Sequence, residues 1–70
     1  MEYIELLTKV SFNIKIQRMR KKLTQAQLAE LINVHEKYIG KIETGKQNIT
    51  LKTLFKLAQA LEIEVGCLFN

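Results

Sequence analysis

An all-helical fold is predicted by three features of this chain. Apolar residues recur at spacings of three and four, the 70 residues contain no proline, and the stretch from Gln25 to Thr44 reads as two short helices joined by a sharp turn. With 47% hydrophobic residues, the chain carries enough apolar material for a packed core. Its length allows one domain, residues 1–70, so a separate ligand-sensing module is not expected. The expected architecture is a compact five-helix bundle with the two-helix unit at its centre.

Residues 1–7 form an N-terminal extension whose Tyr3, Ile4, Leu6 and Leu7 are too apolar for an indifferent tail, so a turn packed on the body is expected. The first main helix should run from Thr8 or Ser11 to Lys21. It has two candidate apolar stripes, Val10 with Ile14, and Phe12 with Ile16, Met19 and Leu23, which leaves its rotation open, the second being available to the N-terminal segment or a partner. The next helix, near Gln25 to Ile32, starts at Thr24, whose hydroxyl can cap it with Gln27 completing a capping box. Leu28 and Ile32 share one face, and Ala29 sits where a larger side chain would push the following helix away. Asn33 tolerates the left-handed conformation in which helices often end, and Val34 fills the elbow. The third helix, near Glu36 to Thr44, turns Ile39 and Ile42 inward and ends at Gly45. Thr50 caps a fourth, with Leu51, Leu54, Leu57, Ala58 and Leu61 on its inward side. A last short amphipathic element, Glu64 to Phe69, is interrupted by Gly66, and residues 62–70 are expected to serve dimerisation.

Charge adds a partner to this outline. Four of the seven acids lie near the termini, so Leu6 to Leu61 holds eleven basic residues against three acids, a balance of +8. Such a field favours a polyanion. A helix-turn-helix unit of the kind read in residues 25–44 presents the outer face of its second helix to the major groove of DNA. A single Cys67 excludes an internal disulfide, and with His35 alone beside it no metal site is expected. No stretch approaches the roughly 20 apolar residues that span a bilayer, and the acidic start MEYIELL is not a secretory signal, so a reducing cytoplasmic setting without membrane contact is expected. Paired carboxylates, a nucleophile with its base and a glycine-rich phosphate loop are all missing, which argues against an enzyme and against a cofactor.

Four pieces of sequence carry a resemblance: Arg18, LTQAQLA from Leu23 to Ala29, YIGKIETGK from Tyr38 to Lys46, and NITLKTLFKLAQAL from Asn48 to Leu61. Together they are similar to the phage repressor and Cro type of helix-turn-helix transcriptional regulators, over roughly Val10 to Phe69. The restriction-modification controller proteins, small dimeric members of that family, also resemble this chain in length and in the segment Val10 to Phe12. The resemblance implies a lambda-repressor-like DNA-binding domain, bacterial or phage-encoded and cytoplasmic. It implies a homodimer on a near-palindromic operator in double-stranded DNA, acting by occupancy and competing with or contacting RNA polymerase. It also implies that Arg18 pairs with Glu43. The chain departs from the family pattern at Gln17, at His35 where a serine, threonine or aspartate cap is usual, and at Ile49 where proline is common.

Within this frame Glu36, Lys37 and Lys41 are the candidates for base contacts. Lysine donates to guanine O6 and N7, and glutamate accepts from cytosine N4, so a half-site containing G·C is expected. Gln25, His35, Tyr38, Lys46, Gln47 and Asn48 are the candidates for phosphate contacts. His35 has capping as its alternative role, and Tyr38 has covering the core. Gly40 fits either a close approach to DNA or tight packing. Arg20, Lys21 and Lys22 read as a solvated face. Ile63, Val65, Cys67, Leu68 and Phe69 are the candidates for the dimer surface. A competing function is a protein-interaction module, antitoxin-like or anti-repressor, that keeps the fold but binds a protein. RNA is disfavoured because surface aromatic pairs for stacking are lacking.

Overall fold

In the computed structural model, which describes residues 1–70, four α-helices are followed by a short 3₁₀ helix: α1 (Tyr3–Arg20), α2 (Gln25–Ile32), α3 (Glu36–Glu43), α4 (Leu51–Leu61) and the 3₁₀ helix Val65–Phe69. The five-helix expectation is corrected at its last member. That segment has five residues and contains Gly66, too little for an α-helical hydrogen-bond ladder. No helix is long and apolar enough to cross a membrane.

The first helix begins at Tyr3 rather than at Thr8 or Ser11, so most of the N-terminal extension forms its opening turns. Glu5 Oε1 accepts from the backbone N–H of Glu2 at 3.0 Å, and Leu6 packs on the core, which together give the early start a cap and an anchor. The choice between the two stripes is resolved. Val10, Ser11 and Ile14 face inward, while Phe12 and Met19 remain 59% and 54% exposed. Leu23 also reaches the core, but from the turn beyond the helix rather than as part of a stripe on it.

All four α-helices end in the same way. The N–H of Leu23, Val34, Lys46 and Ile63 bonds back to the carbonyl of Arg18, Ala29, Lys41 and Ala58, and the residue before each closes a shorter loop inside it. This is the Schellman motif, which needs a left-handed residue just past the helix. Lys22, Asn33, Gly45 and Glu62 occupy that place, with φ of 59°, 60°, 76° and 59°. After three of the helices the next side chain, Leu23, Val34 or Ile63, folds back onto the core. After α3 it is the exposed Lys46, so that exit turns toward solvent.

Thr24 and Thr50 cap α2 and α4 as the sequence predicts, each accepting from the N–H three residues on, at 3.0 and 3.1 Å. The twelve-residue core draws on every element, from Val10 and Ile14 through Leu28, Ile39 and Ile42 to Leu57, Leu61 and Leu68. Two expectations fail here. Leu51, read as inward, is 75% exposed because the first turn of α4 overhangs the core, at the rim of a groove it shares with Tyr3, Ile49, Leu54 and Phe69. Leu68, read as dimer surface, is 0% exposed within its own chain. Asn13 Nδ2 donates to the carbonyls of Leu68 and Asn70, both at 3.0 Å, and clamps the C-terminus against α1.

Candidate nucleic-acid interface

Helix α3 is too short to be stable alone. Its shape comes from its ends and its inner face. His35 Nδ1 accepts from the N–H of Lys37 at 3.1 Å, so this histidine performs the capping role that serine or aspartate often fills. Ile39 and Ile42 are fully buried and orient the helix by their fit against the core. At 100° per residue the opposite side carries Glu36, Lys37, Gly40, Lys41 and Thr44.

Glu43 fixes the helix against its neighbours. Its carboxylate accepts from Arg18 Nε at 2.6 Å and Nη2 at 3.1 Å, and from Gln25 Nε2 at 3.0 Å. Arg18 Nη1 in turn donates to the carbonyl of Leu23 at 2.7 Å. The Arg18 and Glu43 side chains are only 12% and 2% exposed. The pair therefore joins α1 to the end of α3 as a two-pronged contact, and Gln25 adds the start of α2 to the same carboxylate. One buried anion thus sets the relative position of three helices.

A broad, shallow depression lies outside this network, lined by Gln25, His35, Glu36, Lys37, Gly40, Lys41, Thr44 and Lys46, with no hydrophobic residue among them. Six of the residues singled out from the sequence for DNA contact meet there: Gln25, His35, Glu36, Lys37, Lys41 and Lys46. Three others do not. Tyr38 is half-buried with its ring against the core, and Gln47 and Asn48 lie further along the chain. Asn48 Oδ1 accepts from the Tyr3 hydroxyl at 3.0 Å, which ties this loop to the start of α1. Gln25 is partly committed to Glu43, but its backbone N–H and that of Ala26 find no partner within the chain. Sequence reasoning passed over Thr44. Its place eight residues after Glu36 and three after Lys41 puts it on the same face, and its hydroxyl donates to the carbonyl of Lys41 at 3.0 Å.

Comparison with known proteins points to the same fold. The helix-turn-helix family model (HTH_3) matches residues 14–66. The control protein C.SmaI of Serratia marcescens is 43% identical over 53 residues, which cover 76% of this chain and 63% of that protein. The immunity repressor of Bacillus phage phi105 is 42% identical over 59 residues, covering 84% of this chain and 41% of the repressor. This chain therefore spans less than two thirds of either relative. Among solved structures, the restriction-modification controller protein C.Esp1396I, crystallised as a tetramer with its natural 35 base-pair operator, superposes with a TM-score of 0.83 at 36% identity, covering 99% of this chain and 88% of that one. The fold and these similarities lead to one assignment: the chain belongs to the helix-turn-helix family that includes the phage repressors and the restriction-modification controller proteins.

Proposed function

We propose that this protein is a sequence-specific transcriptional regulator that binds double-stranded DNA as a homodimer on a near-palindromic operator. The observation that carries the reading is the outer face of α3, wholly polar and bearing Lys37 and Lys41, while its inner face is locked in the core and clamped through Glu43. Glu36, Lys37 and Lys41 read base edges, with a G·C pair in each half-site. The free N–H groups at the start of α2, Lys46, and the amides of Gln47 and Asn48 hold phosphates. His35 reaches the backbone through the ring nitrogen that capping leaves free, and Tyr38 through its hydroxyl. Regulation follows from occupancy of a promoter, by blocking or contacting RNA polymerase. A relative assembled as a tetramer on its operator supports the placement of several copies on one site.

With Leu68 withdrawn into the core, the partner surface comprises Phe69 and Cys67 together with Leu51 and Phe55, exposed on successive turns of α4. Ile63 and Val65, half-buried, support it from beneath. Two such units would place their α3 helices in successive major grooves, about 34 Å apart. Selection from random DNA tests the reading, and should enrich paired half-sites containing G·C. Binding to the enriched site should weaken linearly in log–log terms with salt, by a slope of about 0.9 for each phosphate neutralised. No enrichment, or binding indifferent to salt, would refute it. That result would favour a protein-interaction module, for which the exposed Ile4, Phe12 and Met19 on α1 offer an apolar surface.

A further inference from the structure

Gly40 stands in the middle of α3 without a structural reason to be glycine. Its backbone is ordinary right-handed helix, unlike that of Gly45, whose φ of 76° favours glycine. A Cβ built on Gly40 would meet only the Gln25 Oε1 atom, at 3.7 Å, which is normal contact distance. Neither helix packing nor backbone conformation is served by the missing side chain. Helix stability is weakened, since glycine is a poorer helix former than alanine. The position lines the polar depression, between Glu36 and Thr44 along the helix and beside Lys37 and Lys41.

We propose that Gly40 determines specificity by leaving a notch that receives the C5-methyl group of a thymine; this rests on the reading of α3 as the base-reading helix. The space that a Cβ would occupy without clash is available to a methyl group carried by the DNA. Of the groups on base edges in the major groove, only the thymine methyl is an apolar projection of that size. The notch thus reads by shape next to side chains that read by hydrogen bonds. It also lets the backbone of α3 lie closer to the bases, bringing Lys37 and Lys41 within reach.

The test uses the DNA enriched by the unsubstituted protein, with each thymine replaced in turn by deoxyuracil, which differs only by the methyl group. One position in each half-site should lose about fourfold in affinity, the value of one buried methyl group, and the remaining thymines should be indifferent. Gly40→Ala should bind the enriched site more weakly and no longer distinguish thymine from deoxyuracil at that position, while melting no lower than the unsubstituted protein. Wild-type affinity in Gly40→Ala, or indifference of the unsubstituted protein to deoxyuracil at every position, overturns the proposal and leaves the reading of α3 standing. Failure of the unsubstituted protein to enrich any DNA overturns that reading, and the notch with it.

Discussion

Glu43→Ala is the substitution on which the geometry makes its firmest demand. It removes the acceptor of three hydrogen bonds and leaves the Arg18 guanidinium, 12% exposed, without its counter-charge. Truncating one partner of a buried ion pair costs about 3–5 kcal/mol, most of it from the stranded charge. The residual exposure of Arg18 places this case near the lower end. A domain of this size is stable by roughly 4–10 kcal/mol in all, and each kcal/mol moves its melting temperature by about 4–8 °C. The variant should therefore melt at least ~12 °C below the parent, followed by circular dichroism at the helical band. Replacing both partners, as in Arg18→Met with Glu43→Leu, should cost less than the sum of the single losses, because no charge is then left buried. A Glu43→Ala melt within about 4 °C of the parent, equivalent to less than about 1 kcal/mol, would show that the clamp does not hold α3, and the argument would fail.

Other expectations are simpler. Lys22→Gly should stabilise the domain by roughly 1 kcal/mol in thermal or urea melts, since a left-handed non-glycine residue carries strain; a loss of stability would contradict this account of the α1 terminus. Leu68→Ala should destabilise by about 2–5 kcal/mol as a core truncation, whereas Leu51→Glu should leave the fold intact and shift sedimentation toward monomer. A dimer unaffected by Leu51→Glu would move the partner surface elsewhere. The Lys21 ammonium hydrogen-bonds Glu62 and attracts it coulombically, holding its carboxyl below the ordinary range. A lowered folded-state value means that this pair stabilises above the ordinary carboxylate range and ceases to as pH falls through the lowered value. The difference between the parent and Glu62→Gln should accordingly vanish in acid, and shrink in high salt, and a gap that widens in acid would reverse the assignment.

What the sequence discloses about this fold depends on whether the cause is local. Thr24, Asn33, Gly45 and Thr50 mark helix ends by chemistry confined to a few residues, and each does what its type suggests. Lys22 and Glu62 do not advertise the left-handed turn they make. Leu23 and Ile63 supply the reason, because the gain from folding them onto the core outweighs the strain one residue earlier. Periodicity has a similar limit. It finds the face of α4 but not where the core stops along it, which is why Leu51 reads as inward; the burial of Leu68, on the 3₁₀ helix, follows from packing against α1 that no local pattern shows. In the candidate interface, helical geometry is enough to collect Glu36, Lys37 and Lys41 on one face. The second role of Gln25, as a donor to Glu43, depends on a contact spanning eighteen residues and has no local sign.

On the proposed reading, stability and target choice fall to different residues of α3. Ile39, Ile42 and Glu43 attach the helix, and none of them faces the polar depression. Glu36, Lys37 and Lys41 face it and have no side-chain hydrogen bond or ion pair elsewhere in the chain, so changing them should alter binding while leaving the melting temperature nearly fixed. Gly40 breaks this division. It faces outward like the second group, yet it weakens the helix by roughly 1 kcal/mol relative to alanine, and nothing inside the chain recovers that loss. A cost borne by the free protein without an internal return is best explained by an external contact. On the proposed reading of this face, that contact is the DNA.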